Sequence, residues 1–124
     1  MRDRHSLQIS IIDYDSGNLR SVAKALEKYG VDPITTSDSD IILKSDAVIL
    51  PGVGSAPSAM QALSNRNLIE PIKQYIALGK PFFGICLGLQ LLFNKTDEGD
   101  SDCLGVISGN VRQLSSGLKV PHMG

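Results

Sequence analysis

Pro81-Phe82-Phe83-Gly84-Ile85-Cys86-Leu87-Gly88-Leu89-Gln90-Leu91-Leu92-Phe93 changes rhythm at its centre. Residues 81–86 are a short, almost continuous apolar run of strand length, and residues 87–93 carry the spacing of a helix. Gly84-Ile85-Cys86-Leu87-Gly88, a Gly-x-Cys-x-Gly, falls on the joint between them. The pattern is the cysteine version of the nucleophile elbow, a sharp turn that lifts a reactive side chain clear of a sheet. The flanking glycines have a steric purpose, because neighbouring backbone passes so close that side chains would clash. Set at a helix N-terminus, the Cys86 sulfur meets the partial positive charge of the helix end, which favours its thiolate, and the backbone N–H of Leu87 is free to meet a developing oxyanion. A buried cysteine in a glycine-rich turn would share the five letters. The strand before and the amphipathic segment after separate the two readings.

Outward from the joint, short apolar runs alternate with helical spacing. Leu7-Gln8-Ile9-Ser10-Ile11-Ile12 reads as a first strand, closed by Asp13 and the turn residues Tyr14-Asp15-Ser16-Gly17. Leu19, Val22, Ala23, Leu26 and Tyr29 then recur on one helical face, with Gly30 in the place of a C-cap glycine. Residues 31–35 predict a weak strand that Pro33 confines to a sheet edge. Residues 47–50 predict a third strand ending at Pro51-Gly52-Val53-Gly54, and residues 55–63 and 68–78 predict two helices. Strand–helix alternation implies right-handed crossovers and an α/β fold: a doubly wound, mostly parallel sheet with helices on both faces. The continuous apolar character of the third and fourth strands suits strands covered on both sides. Residues 94–102 read as a polar surface loop, and residues 103–107 and 110–114 as short strands able to form a hairpin. Residues 1–7 form a tail, and residues 8–124 the N-terminal part of a single domain that is incomplete at its C-terminus.

Sites in open α/β sheets form at the carboxyl ends of strands, so the loop at residues 51–54 is expected beside the elbow. Gly52 and Val53 could present a second backbone donor to an oxyanion. As a phosphate cradle the loop fits poorly, since Pro57 stands where a dinucleotide fingerprint needs its third glycine, and no Walker sequence occurs. Gln90 lies one helical turn after Cys86 and on the same face. Asn18 and Glu98 are polar residues at the rim of the same region. The triad logic requires a histidine base, yet the only histidine after Cys86 is His122, and no spacing marks it for that role.

The composition excludes several classes. Lys plus Arg is 12 and Asp plus Glu is 13, a net charge of −1, which offers no footprint for nucleic acid or an anionic membrane. With 42 % hydrophobic residues the chain can bury a core, and no apolar run reaches the ~18 residues of a membrane span. The polar start lacks a signal peptide, and two cysteines, Cys86 and Cys103, make no disulfide framework; the expectation is a cytoplasmic protein.

Together, residues 11–19 (Ile-Ile-Asp-Tyr-Asp-Ser-Gly-Asn-Leu), Leu50-Pro51-Gly52-Val53-Gly54, the elbow segment through Phe93, and Pro121-His122-Met123-Gly124 resemble the class I, triad-type glutamine amidotransferases. Within that family the likeness is greatest to the glutaminase subunits of imidazole glycerol phosphate synthase, in histidine biosynthesis. The resemblance implies that Cys86 attacks the side-chain amide of glutamine, with the backbone of Gly52, Val53 and Leu87 as oxyanion hole. It places Gln90, Glu98, Gly54 and Gly88 around the substrate and Asn18, His122 and Met123 toward a partner. That partner is a (β/α)8-barrel synthase subunit, forming a heterodimer that receives ammonia. No cofactor and no metal are implied. The family's distal His-x-Glu does not occur in these residues, so the 124-residue chain alone is expected to be feeble or inactive. Two other readings remain: the amidotransferase part of a synthase making GMP, anthranilate or pyridoxal phosphate, and a non-catalytic flavodoxin-like redox or binding protein.

Overall fold

A computed structural model describes residues 7–15, 19–52, 55–85, 88, 91–92, 95–96, 101–102, 104–105, 110–113 and 119–122. The first four strands, β1 (Ile9–Ile12), β2 (Ile34–Thr36), β3 (Ala47–Leu50) and β4 (Phe82–Gly84), pair in parallel in the order β2-β1-β3-β4. Between them come α1 (Leu19–Glu27), α2 (Ser39–Lys44), α3 (Ala56–Asn65) and α4 (Ile69–Ala77). The order of strands reverses direction after β2. Right-handed crossovers therefore place α1 on one face and the later helices on the other, the doubly wound arrangement that the alternation implies.

Each helix has a local cause. After α1, Gly30 adopts φ +80° and its N–H donates to the Glu27 carbonyl at 3.0 Å, while the Val31 N–H reaches Leu26 at 3.1 Å. That pair is a Schellman cap, and Gly30 is there for its backbone angle, since nothing lies within 4 Å of where a Cβ would stand. Tyr29 falls outside the helix and is 86 % exposed, so it does not extend the helix's apolar stripe as its spacing predicts. Asp38 caps α2 by accepting from the Asp40 N–H at 2.9 Å, and Ser55 caps α3 by accepting from Ser58 at 3.3 Å. The six-residue α2 has no counterpart among the predicted helices, because so short a helix shows less than two turns of periodicity.

Alternation along the strands divides the sheet's two faces. Ile12, Val48 and Leu50 point into a core with Ile42 of α2, Ala56, Ala59 and Leu63 of α3, and Ile72 and Tyr75 of α4. Ile11 and Ile49 are buried on the opposite face. Ser10 is fully buried on the core side, where its hydroxyl shares a hydrogen bond with that of Ser45, which also reaches the Ile41 carbonyl at 2.8 Å. The fourth strand departs from the expectation of cover on both sides. Phe82 packs on the core, but Phe83 is 55 % and Ile85 37 % exposed. The reason is position: β4 ends the strand order, with no further described strand beside it.

Beyond residue 94 the structure corrects three expectations. Residues 94–102, expected as a loop, contain β5 (Lys95–Thr96) and β6 (Ser101–Asp102), paired antiparallel. Leu104 and Gly105 are not in a strand; Leu104 is instead buried in the core, with its N–H on the Leu91 carbonyl at 2.8 Å. The other residues of the run 103–107 lie outside the described residues. Finally, β7 (Asn110–Gln113) pairs antiparallel with β8 (Lys119–His122), not with residues 103–107, and parallel with β5. These strands form a second sheet in the order β6-β5-β7-β8, in which β8 is an edge that tolerates Pro121. Strands of two residues carry no readable alternation, which is why local pattern leaves them as loop.

The end of α4 carries a pH-sensitive contact. The Tyr75 hydroxyl is buried and donates to the Ser45 carbonyl at 3.2 Å, with the Lys80 ammonium 5.6 Å from its ring. Burial, and secondarily the Asp46 carboxylate, push the Tyr75 phenol above its ordinary value of 10.0. The folded state thus holds the proton longer than the unfolded state. The resulting stabilisation is full below pH about 10 and is lost as pH rises through the raised value. Tyr75→Phe is expected to be less stable near neutrality by about 1 kcal/mol, and to lose less stability than the parent between pH 9 and about 11.5. Urea titrations across that range measure both; parallel curves for the two proteins would refute the assignment.

Candidate active site

The carboxyl ends of β1, β3 and β4 lie side by side in the sheet, and the reversal of strand order falls between β1 and β3. This is where open α/β sheets place ligands. From β4 the ladder continues one residue past the strand, with the Ile85 N–H donating to the Leu50 carbonyl at 3.0 Å. The chain then turns: the Gly88 N–H donates to the Ile85 carbonyl at 2.9 Å, and Gly88 and Leu91 are helical. The strand-to-helix joint predicted at residues 84–88 is therefore present. Cys86 and Leu87, its intervening residues in the sequence, lie outside the described residues.

Gly88 is buried against the end of β3. A Cβ there would stand 1.8 Å from the Leu50 carbonyl oxygen, 2.8 Å from its carbon and 3.3 Å from the carbonyl carbon of Pro51. The second glycine of the elbow thus has the steric purpose read from its sequence: no side chain fits between the helix start and the neighbouring strand. Its effect is to hold the turn against Leu50-Pro51-Gly52, so the two segments expected to be neighbours do touch. Pro51 and Gly52 are buried. Ser55 caps α3 directly after this loop, while Val53 and Gly54 are outside the described residues.

The loop after β1 joins the same cluster through Tyr14, which its sequence marks only as part of a turn. Tyr14 is 1 % exposed, and its hydroxyl donates to the carbonyl of Pro51, 37 positions away. A large aromatic set among Asp and Gly in a strand-to-helix turn is the one local signal of this role, since a turn that merely reverses the chain has no use for a buried ring. Next to it Asp15 takes φ +70°, with its N–H on the Asp13 carboxylate at 3.1 Å. Arg66 approaches Asp15 at 3.8 Å, but this pair is too exposed to contribute more than a few tenths of a kcal/mol. Together with α3 these residues border a shallow groove of about 510 Å³ lined by Asp15, Pro57, Ser58, Gln61 and Arg66.

Of the remaining candidates, Asn18, Gln90, Glu98 and Met123 lie outside the described residues. His122 lies in β8, opposite Asn110 in the second sheet. Among the described residues no group of three or more His, Cys, Asp or Glu could hold a metal ion, and no helix is long and apolar enough to cross a membrane.

Comparison with known proteins agrees with this geometry. A solved glutamine amidotransferase shares the fold with a TM-score of 0.75 at 19 % sequence identity, covering 89 % of this chain and 58 % of its own. Among curated proteins, the imidazole glycerol phosphate synthase subunit HisH of Synechococcus elongatus is 53 % identical over 119 residues, which are 94 % of this chain. Those of Trichodesmium erythraeum and Bacillus cereus are 57 % and 50 % identical over 118 and 117 residues. The chain spans 55–56 % of the length of these relatives. The family description "Glutamine amidotransferase class-I" matches residues 10–122, nearly the whole sequence, and the chain belongs to the class I glutamine amidotransferases.

Proposed function

We propose that this chain carries the nucleophile and oxyanion segments of the glutaminase subunit of imidazole glycerol phosphate synthase, with residues 8–124 as the N-terminal part of a single amidotransferase domain. Its work is to release ammonia from glutamine for a (β/α)8-barrel synthase subunit in the cytoplasm. The observation that supports it most directly is the seating of Gly88 on the Leu50 carbonyl, with Pro51 and Gly52 alongside. That contact brings a Gly-x-Cys-x-Gly turn and a glycine-rich loop to one point. The identities of 50–57 % to subunits named HisH support the choice of synthase.

The chemistry follows from these parts. The Cys86 thiolate attacks the carboxamide carbon of glutamine, forming a C–S bond and moving the C=O electron pair onto oxygen. Backbone N–H groups of Gly52, Val53 and Leu87 receive that oxyanion, the charge that develops only in the transition state and hence the useful place for preorganised donors. Collapse of the intermediate breaks the C–N bond; the nitrogen takes a proton from solvent water and leaves as ammonia. Water then attacks the thioester, giving glutamate and restoring the thiol. Gln90, Glu98, Gly54 and Gly88 hold the substrate, and Asn18, His122 and Met123 face the partner subunit. A sealed passage to that subunit has a physical purpose, because ammonia released into neutral water becomes ammonium and loses its nucleophilic lone pair.

A glutamine-like diazoketone is expected to alkylate Cys86, and glutamine to protect it, with mass spectrometry locating the adduct. A cysteine that is oxidised readily by peroxide, yet shows no preference for the glutamine analogue over a simple alkylating agent, would instead identify a flavodoxin-like redox protein.

A further inference from the structure

The hydrogen bond between Tyr14 and Pro51 acts on a peptide that the proposed chemistry uses. In a trans peptide the carbonyl oxygen of one residue and the N–H of the next lie in one plane and point in opposite directions. Holding the Pro51 oxygen therefore also holds the direction of the Gly52 N–H. Without such a hold, the glycine's backbone could rotate among several basins at little cost, and the N–H would spend much of its time pointing away from the substrate. The Tyr14 ring is 1 % exposed and belongs to the same core as Leu50, so its hydroxyl is fixed in space. The donor and acceptor come from the two loops that flank the reversal of strand order, so the bond ties together the two sides of the site.

The geometry points to Tyr14 as a positioning residue that orients the Pro51–Gly52 peptide toward the oxyanion, an inference that rests on the glutaminase function proposed above. Tyr14 itself does not touch the substrate. Its contribution is made through the backbone, and it is felt when negative charge appears on the amide oxygen rather than when glutamine binds.

The test is Tyr14→Phe in the natural protein carrying these residues, assayed with its synthase subunit, with turnover expressed per active site titrated by the diazoketone. The phenylalanine ring refills the buried space, so the variant is expected to fold. The expected result is a kcat lowered on the order of tenfold or more, a KM within about threefold of the parent, and an unchanged rate of Cys86 alkylation by iodoacetamide, which needs no oxyanion hole. Tyr29→Phe, at a phenol 86 % exposed, is the control and changes nothing. A purely structural role predicts fewer titrated sites with unchanged kcat per site, and that outcome overturns the inference. So does a parallel fall in kcat and alkylation, which would mean that the cysteine turn itself had moved. If Cys86→Ser keeps its glutaminase activity, the function proposed above fails first and this inference falls with it. If Cys86→Ser is inactive and Tyr14→Phe keeps its kcat, the positioning role alone is refuted.

Discussion

In the natural protein carrying these residues, assayed with its synthase subunit, Gly88→Ala is expected to lower glutamine hydrolysis at least about a hundredfold and to reduce the thermal midpoint by several degrees. The added methyl would sit 1.8 Å from the Leu50 oxygen, about 1.6 Å inside the 3.4 Å at which ordinary contact begins. Neither side can yield easily. The Leu50 carbonyl is held in the sheet by the Ile85 N–H at 3.0 Å, and Leu50 itself is fully buried. The segment after Gly88 is anchored by Leu91 and Leu92, both in the core. Relief therefore has to come from moving the turn between them, by an amount comparable with the displacement of about 1 Å that costs roughly a hundredfold in a positioned active site. Overpacking of this kind costs about 1–3 kcal/mol in stability, or more where backbone is the obstacle. Gly30→Ala is the instructive contrast. There the surroundings are empty and only the positive φ is at stake, so a stability loss of about 1 kcal/mol with unchanged turnover is expected. Melting curves and turnover of the two variants decide the matter; a Gly88→Ala protein with near-normal activity would show that the turn is not seated on β3 as described.

The contrast between these glycines also marks how far the sequence is legible. The purpose of Gly84-x-Cys86-x-Gly88 can be read because a strand and a helix meet there within a few residues, and because a sharp turn crowded by neighbouring backbone is the main reason to place glycine on both sides of a reactive side chain. Gly30 is legible because a periodic helix stops at it. The parallel sheet follows from the alternation of β1, α1, β3, α3 and α4, the helices long enough to show their period and the strands standing out as short apolar runs. The rest is hidden for definite reasons. The helix α2 and the strands β5 and β6 are shorter than the windows in which periodicity exists. The exposure of Phe83 and Ile85 is a property of strand order, which local pattern does not encode. The role of Tyr14 is hidden because its partner is 37 positions away, a separation at which only the folded chain can bring a hydroxyl to a carbonyl. The family resemblance, by contrast, needs no structure: it rests on four segments of sequence, and the match over residues 10–122 reaches into all four.

In that same natural protein, Cys86→Ser is expected to reduce glutaminase turnover at least about a thousandfold while leaving glutamine binding within a few-fold of the parent. The two side chains have the same shape, so the difference is chemical. A free thiol ionises near pH ~8.5 and is a few per cent thiolate at neutrality, and a helix N-terminus increases that share. A serine hydroxyl remains protonated throughout the accessible range, and a helix terminus is far too weak to ionise it. Serine works at an elbow only with an adjacent base to take its proton as it attacks, a demand the thiolate has already met before the substrate arrives. The loss should therefore appear in kcat rather than in KM, since the groups proposed to hold glutamine are untouched. Combining Cys86→Ser with Tyr14→Phe adds a sharper prediction. If Tyr14 acts only by aiming a donor at the oxyanion of the thiolate's attack, removing it from a protein that no longer forms that intermediate should cost little more. The double variant should then turn over at close to the rate of Cys86→Ser alone. Full multiplication of the two losses would mean that Tyr14 serves some step in which the sulfur takes no part.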